Sequence, residues 1–236
     1  FMNTARIGTA IQGIAHAEAS FQGALAYARE RRSMRAVTGK KEPDANADAL
    51  IWHADVRRML LTQKAIAEGG RAMIYAAAQT ADLMVDAGRR QDRATQDKHD
   101  DTLGFYTPIL KGFLTEMGLE AANLGMQVFG GHGYIHEHGM EQIARDARIA
   151  TLYEGTTGIQ ALDLLGRKVL LGTRGKCVRD FSRIMLRSAK AHWLAHGSIG
   201  RMARATARRA IEWNLLTLRI MRRVGKDRDL VGSASV

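Results

Sequence analysis

The sequence predicts an all-α protein. Only two of the 236 residues are proline, so the residue that most strongly breaks helices is scarce. Along most of the chain, apolar residues recur at intervals of three and four, which is the spacing of one helix face. No stretch of any length alternates apolar and polar residues as a half-exposed strand would. We therefore expect helices and no sheet.

The first half of the chain contains two expected helices, at residues 7–32 and 55–87. The apolar positions that indicate them include Ile7, Ile11 and Ile14, then Val56, Met59 and Leu60. Many glycine and alanine residues in the first helix would let a neighbouring helix approach closely, because such residues carry little or no side chain. Residues 38–49 are polar and are expected to form a connection.

A third helix is expected at residues 103–128. It should end at Gly130 and Gly131, because glycine commonly stops a helix. The highly charged residues 88–101 before it predict a loop or a solvated helix end, and Pro108 is expected near a loop-like stretch.

The last part of the chain is expected to be helical with two interruptions. After a break at residues 153–155, the segments are a helix at 157–171, a turn at 172–175 and two basic amphipathic helices at 178–196 and 199–224. Between Arg167 and Arg228, seventeen Lys and Arg residues accompany three acidic ones, within a chain of formal charge +11. This segment either attracts anionic partners or consists of solvated helix faces, which is the commoner case.

Composition excludes several classes of protein. No run of eighteen apolar residues is present, so no membrane-spanning helix is expected, and no signal peptide is evident. Cys177 is the single cysteine, which excludes a disulfide within the chain and makes a reducing cytoplasm the expected compartment. Because the helical pattern starts and stops abruptly, we expect a fragment of a longer protein.

Three histidines, His132, His136 and His138, raise the question of a metal site. No cysteine accompanies them and glycines surround them, so we interpret this stretch as a loop with incidental histidines and expect no metal. The sequence contains no GxxxxGKS phosphate loop and no GxSxG nucleophile motif.

Several motifs in a fixed order carry the strongest functional signal. Residues 127–134 read Gln-Val-Phe-Gly-Gly-His-Gly-Tyr, Arg145-Asp146 follows, and residues 153–160 read Tyr-Glu-Gly-Thr-Thr-Gly-Ile-Gln. Nearer the start, Arg6 precedes residues 27–33, Tyr-Ala-Arg-Glu-Arg-Arg-Ser. Over about residues 5–170 this set resembles the C-terminal domain of the acyl-CoA dehydrogenase family. The resemblance implies an up-and-down helical bundle with extra helices after it.

The resemblance also implies an activity, the oxidation of an acyl-CoA thioester to its 2,3-enoyl-CoA with FAD as cofactor. Glu154 would be the base that removes the α proton, Gly155 would line the thioester pocket, and Arg6 would help to position the glutamate loop. The implied FAD contacts are Arg31, Gln127, Gly130, Gly131, Thr156 and Gly158. Some of these would reach FAD from a neighbouring subunit, so a dimer or tetramer is implied, with an electron-transfer flavoprotein as electron acceptor.

The sequence departs from the family pattern in several places. Met34 and Arg35 replace the family's Phe-Gly, Gly158 replaces a glutamate or glutamine, and residues 38–49 are longer than usual. Together with the basic helices, these features resemble larger family members, which implies a bundle at 1–171 and part of a C-terminal extension at 172–236. The family's β-domain has no counterpart here, so this fragment is expected to be inactive without the rest.

Two other interpretations remain open. A member of the same fold could bind nucleic acid through the basic helices, although a base at Glu154 would then have no purpose. Alternatively, the chain could be a non-catalytic oligomerisation module, in which case the identity of residue 154 would not affect catalysis.

Overall fold

A computed structural model describes residues 2–224, 226–227 and 229–233. In this part of the chain the protein is helical, and the nearest feature to a sheet is one isolated antiparallel bridge between Arg32 and Ala49. The helices are α1 Met2–Glu30, α2 Ala54–Arg89, α3 Arg93–Phe129, α4 Gly131–Tyr134, α5 Met140–Leu152, α6 Thr157–Leu162, α7 Lys176–Ala191, α8 Gly197–Val224 and α9 Leu230–Ser233. The expected all-α class is confirmed.

Four of these helices, α1, α2, α3 and α5, form an up-and-down bundle. Gly70 of α2 lies against Ile14 of α1, and Gln63 accepts a hydrogen bond from Ser20 further along α1, so these two helices are antiparallel. In contrast, Gly13 of α1 meets Gly118 of α3 and Tyr27 stacks on Phe129, so α1 and α3 run in the same direction. The α5 helix runs back along α3.

The bundle core is made of small and branched apolar side chains. One buried group contains Ala10, Ile14, Ile74, Ala77, Leu103, Leu110 and Leu114. A second contains Ala24, Ala28, Met59, Leu60, Val128, Phe129 and Met140. Burying such side chains supplies the main driving force that holds the helices together. This packing also sets the positions of the helix ends near which the predicted site residues lie.

Helix α3 begins earlier than its apolar pattern indicated. Its N-cap is Asp92, whose Oδ1 accepts a hydrogen bond of 3.1 Å from the backbone N–H of Thr95. Charged residues then form the first turns, where they face solvent and leave no apolar periodicity. Pro108, expected near a loop, lies instead inside α3 and is buried, so that expectation was wrong.

The last long helices, α7 and α8, pack together against the first half of α3. The contact is aromatic: the ring centroid of Phe105 lies 5.8 Å from that of Phe181 and 6.0 Å from that of Trp213. Their arginines are mainly exposed, and several form ion pairs along the helix, such as Arg208 with Glu212 at 2.8 Å. None of the described helices is long and apolar enough to cross a membrane.

Candidate active site

The chain breaks sharply between α5 and α6, at residues 153–156, as the sequence predicted. Glu154 has φ +55° and Gly155 has φ +90°, so two successive residues adopt the left-handed region. This region costs a residue with a Cβ about 1–2 kcal/mol. A feature of this kind persists only where neighbouring groups enforce it.

Gly155 cannot be replaced without disturbance. A Cβ at this position would lie 2.7 Å from Nε2 of Gln160 and 3.2 Å from Cγ2 of Ile159. Both the conformation and the lack of space therefore require glycine. Because glycine has no side chain, the backbone next to Glu154 is partly exposed.

Two buried side chains to which the sequence analysis gave no role donate hydrogen bonds to the backbone carbonyls of the break. Nε2 of Gln160 donates to the carbonyls of Glu154 at 2.9 Å and Gly155 at 3.2 Å. Nζ of Lys111, in the middle of α3, donates to the carbonyls of Gly155 at 2.6 Å and Thr151 at 3.2 Å. Gln160 closes the motif at residues 153–160, whereas no sequence signal marked Lys111.

The Glu154 side chain itself is exposed on this chain. Within the part of the chain that the structure describes, its carboxylate makes no hydrogen bond or ion pair, and Lys111 attracts it electrostatically. Thr156 is also exposed, and Gly158 lies on the first turn of α6. The carboxylate is thus presented on an anchored backbone and is available to a group outside this chain.

Arg6 lies close to this region but is engaged elsewhere. Its Nη1 donates to Oδ2 of Asp163 at 2.6 Å, and both side chains are buried. Nη1 of Arg167 lies 3.3 Å from the other Asp163 oxygen. The ion pair ties the start of α1 to the π-helix at Asp163–Gly172, and the described Arg6 side chain forms no hydrogen bond with Glu154.

A second group of predicted residues lies at the opposite end of the bundle. Here α1 and α3 end together, and the Tyr27 hydroxyl is 2.7 Å from Nδ1 of His132. Gly130 has φ +61°, and a Cβ at Gly130 would meet open space. Arg31 and Gln127 are exposed, and neither side chain has a partner among the described residues.

The two groups are far apart. Arg6 and Glu30 are separated by 24 helical residues of α1, which corresponds to about 36 Å at 1.5 Å per residue. Residues 154–158 lie between these two levels but nearer to Arg6, because Gly155 is bonded to Lys111 and Thr157 to Glu116 of α3. Arg31, Gln127, Gly130 and Gly131 lie at the far end of the bundle. The residues predicted to contact one cofactor do not meet within a single chain.

Comparison with known proteins identifies the family. Residues 1–170 match the family model described as acyl-CoA dehydrogenase, C-terminal domain. The chain belongs to the acyl-CoA dehydrogenase family. It is 45% identical over 184 residues to 3-methylmercaptopropionyl-CoA dehydrogenase of Ruegeria pomeroyi, which covers 78% of this chain and 30% of that protein.

A second relative agrees with this assignment, and a solved structure shares the fold. A butyryl-CoA dehydrogenase of Syntrophomonas wolfei is 34% identical over 167 residues, covering 71% of this chain and 26% of that one. The structure of an acyl-CoA dehydrogenase complexed with FAD from Bacillus anthracis superposes with a TM-score of 0.58 at 15% identity, covering 99% of this chain and 46% of that chain, and shares the fold. The present chain thus spans under a third of the length of these two curated relatives.

This acyl-CoA dehydrogenase domain departs from the family motif at Met34 and Arg35, and the structure shows the contacts that Arg35 makes. Arg35 turns inward, and its Nη1 donates to Oδ1 of the buried Asp48 at 3.2 Å. The backbone N–H of Ala36 also donates to Asp48, and this bond and its neighbours hold the pKa of Asp48 well below its usual range. Asp48 therefore organises the connection after α1.

Of the three histidines, His132 and His138 lie beside Tyr27, and His138 also lies beside Phe129, whereas His136 is 2.9 Å from Oε1 of Glu141. The ring centroids of His132 and His138 are 5.1 Å apart. Within the described residues of this acyl-CoA dehydrogenase domain, no group of three or more His, Cys, Asp or Glu side chains is arranged to hold a metal ion.

Proposed function

We propose that this chain is the C-terminal domain of a flavin-dependent acyl-CoA dehydrogenase that converts an acyl-CoA thioester into its 2,3-enoyl-CoA. Glu154 is the base in this proposal. The observation that carries it is the conformation at residues 154–155, where a strained backbone anchored by buried donors presents an unpaired carboxylate. The family assignment supplies the class of reaction, and the geometry supports the choice of Glu154 as the base.

The chemistry explains why a carboxylate is needed. The hydrogen on the carbon next to a thioester is weakly acidic, and a positioned base accelerates its removal by roughly 10²- to 10⁴-fold. Substrate that covers Glu154 would exclude water, which makes a carboxylate more basic. FAD, when bound, would accept the β hydrogen as hydride while the α proton passes to Glu154, so that a carbon–carbon double bond forms.

The residues at the opposite end fit the anionic part of FAD. The Arg31 guanidinium is exposed and unpaired in the described chain, and a guanidinium can donate two parallel hydrogen bonds to a pyrophosphate. The exposed side-chain amide of Gln127 and the exposed backbone at Gly130 and Gly131 would contact the adenine-nucleotide half of FAD. Since these groups lie so far from Glu154, we propose that they serve the FAD of a neighbouring subunit, whereas Thr156 and Gly158 contact the FAD of their own.

This arrangement requires at least a dimer. We further propose that residues 1–171 form the family bundle, that 172–236 belong to a C-terminal extension, and that the enzyme works in the cytoplasm with an electron-transfer flavoprotein as acceptor. This piece without the remainder of the protein is expected to be inactive.

A panel of thioesters tests the reaction. The full-length protein, loaded with FAD and mixed anaerobically with a saturated acyl-CoA, should lose its flavin absorbance and yield the 2,3-enoyl-CoA. The panel should run from butyryl to long acyl chains and include 3-methylmercaptopropionyl-CoA, with free fatty acids as controls. Absence of bleaching by every saturated thioester would refute the function.

A substitution of Arg31 tests the cofactor assignment. Arg31→Ala in the full-length protein should weaken FAD binding about tenfold or more, because hydrogen bonds to charged groups contribute roughly 1.5–3 kcal/mol. The measurement is a fluorescence titration of the apoprotein with FAD. Arg29→Ala, which removes another exposed cation, from the last turn of α1, should leave the affinity unchanged. Equal affinities for both variants would contradict the assignment.

A further inference from the structure

The largest fully buried side chain in the described part of the molecule belongs to a lysine, Lys111. Lysine is almost never fully buried, because its ammonium group loses its hydration. Burial lowers the pKa of Lys111, Glu116 and Glu154 oppose this effect, and Arg6 adds to the lowering. An apolar side chain at this position would pack into the bundle without that cost, so the presence of a lysine here needs a structural or functional explanation.

The contacts of the Lys111 amine indicate the reason. Its two acceptors are the carbonyl of Thr151, in the last turn of α5, and the carbonyl of Gly155, immediately after the proposed base. The end of a helix carries exposed carbonyls and a partial negative charge, which favours a cationic donor. Lys111 therefore fastens both sides of the break, the helix before Glu154 and the residue after it.

The remaining support for the break is weaker. Gln160 donates to the carbonyls of Glu154 and Gly155, but its own Oε1 is buried without a partner in the described residues. Glu154 is not a glycine, and it is nevertheless held at φ +55°. Without the amine of Lys111, the Gly155 carbonyl would retain one longer hydrogen bond, and the backbone at Glu154 could relax towards an ordinary conformation.

We propose that Lys111 is a positioning residue for catalysis, which fixes the orientation of the Glu154 carboxylate by anchoring the backbone on either side of it. This inference rests on the proposed function of Glu154. Lys111 does not contact substrate or cofactor in this proposal. It acts through residues 151–155, and its amine is the only group of α3 that the structure shows bonded to their carbonyls within the described chain.

The test compares Lys111→Met with the parent in the FAD-loaded full-length enzyme. A displacement of about 1 Å at a reacting group costs on the order of 100-fold in rate, so we expect kcat to fall about 100-fold while KM and FAD content change little. Methionine has a similar volume, and the relief of burying an amine offsets the loss of its two hydrogen bonds, so thermal stability should change little. Lys98→Met, an exposed lysine on the same helix, is the matched control and should leave kcat unchanged.

A double variant separates positioning from a general structural role. If Lys111 acts through Glu154, Lys111→Met should cause little further loss in a Glu154→Gln background, because residues that act as a unit are strongly non-additive. Should Lys111→Met fail to accumulate, Lys111→Gln replaces it in the same test. Glutamine keeps a polar donor in the buried position, but its side chain is shorter than that of lysine and should not hold both carbonyls.

The outcomes distinguish this proposal from the proposed function. A parent enzyme that no acyl-CoA reduces would overturn the function itself. An active parent that depends on Glu154, combined with unchanged kcat in both Lys111 variants or with losses that multiply in the double variant, would overturn the positioning role alone.

Discussion

Glu154→Gln in the full-length enzyme should lower the rate of flavin reduction by a saturating thioester by about 10³-fold or more. Glutamine has nearly the shape of glutamate but cannot accept a proton, so it removes the base and leaves the pocket in place. A factor of 10³ corresponds to about 4 kcal/mol of transition-state stabilisation. Rapid-mixing absorbance spectroscopy under anaerobic conditions measures it directly.

The comparison requires that the variant still bind its ligands. FAD content and thioester affinity should remain near those of the parent, because Glu154 is exposed and makes no side-chain hydrogen bond in the described chain. Glu120→Gln, an exposed glutamate on α3, provides the control for charge. If Glu154→Gln is reduced as fast as Glu120→Gln, residue 154 is not the base.

The break that carries this candidate site could be predicted from the sequence because its motif is local. Glu154 and Gly155 belong to one run of eight residues, and a break between helices was expected at that point. Lys111 could not be predicted in the same way, because it lies 40 and 44 residues along the chain from the two carbonyls that it binds. A lysine inside a helical pattern indicates an exposed position, and only the packing of α3 against α5 and α6 reverses that expectation.

The fold shows the same division between local and long-range information. Apolar spacing predicted a second helix at 55–87, and α2 spans Ala54–Arg89. Apolar spacing did not predict the start of α3, because the turns after Asp92 are charged and solvated. In that stretch only the N-cap residue Asp92 indicates where the helix begins. The glycines of the first helix predicted that another helix approaches closely, but periodicity does not say which one. The partner is α3, and the contact is made at glycines on both helices.

That contact leads to the second large effect expected, at Gly118. A Cβ on this residue would lie 2.3 Å from the carbonyl oxygen of Gly13, and a Cβ on Gly13 would lie 2.4 Å from the carbonyl oxygen of Leu114. Both obstacles are backbone atoms, so a change of rotamer cannot relieve them and α1 must move away from α3. Gly118→Ala should therefore destabilise the protein by about 3 kcal/mol, at the upper end of what overpacking usually costs.

Gly8→Ala distinguishes this packing effect from the intrinsic preference for alanine in helices. Gly8 lies inside α1 with nothing within 4 Å of the added Cβ, so the substitution should stabilise the protein by roughly 1 kcal/mol through helix propensity. Denaturant unfolding of the full-length protein measures both variants, and their effects should have opposite signs. Stabilisation by Gly118→Ala would mean that α1 and α3 do not touch through their glycines.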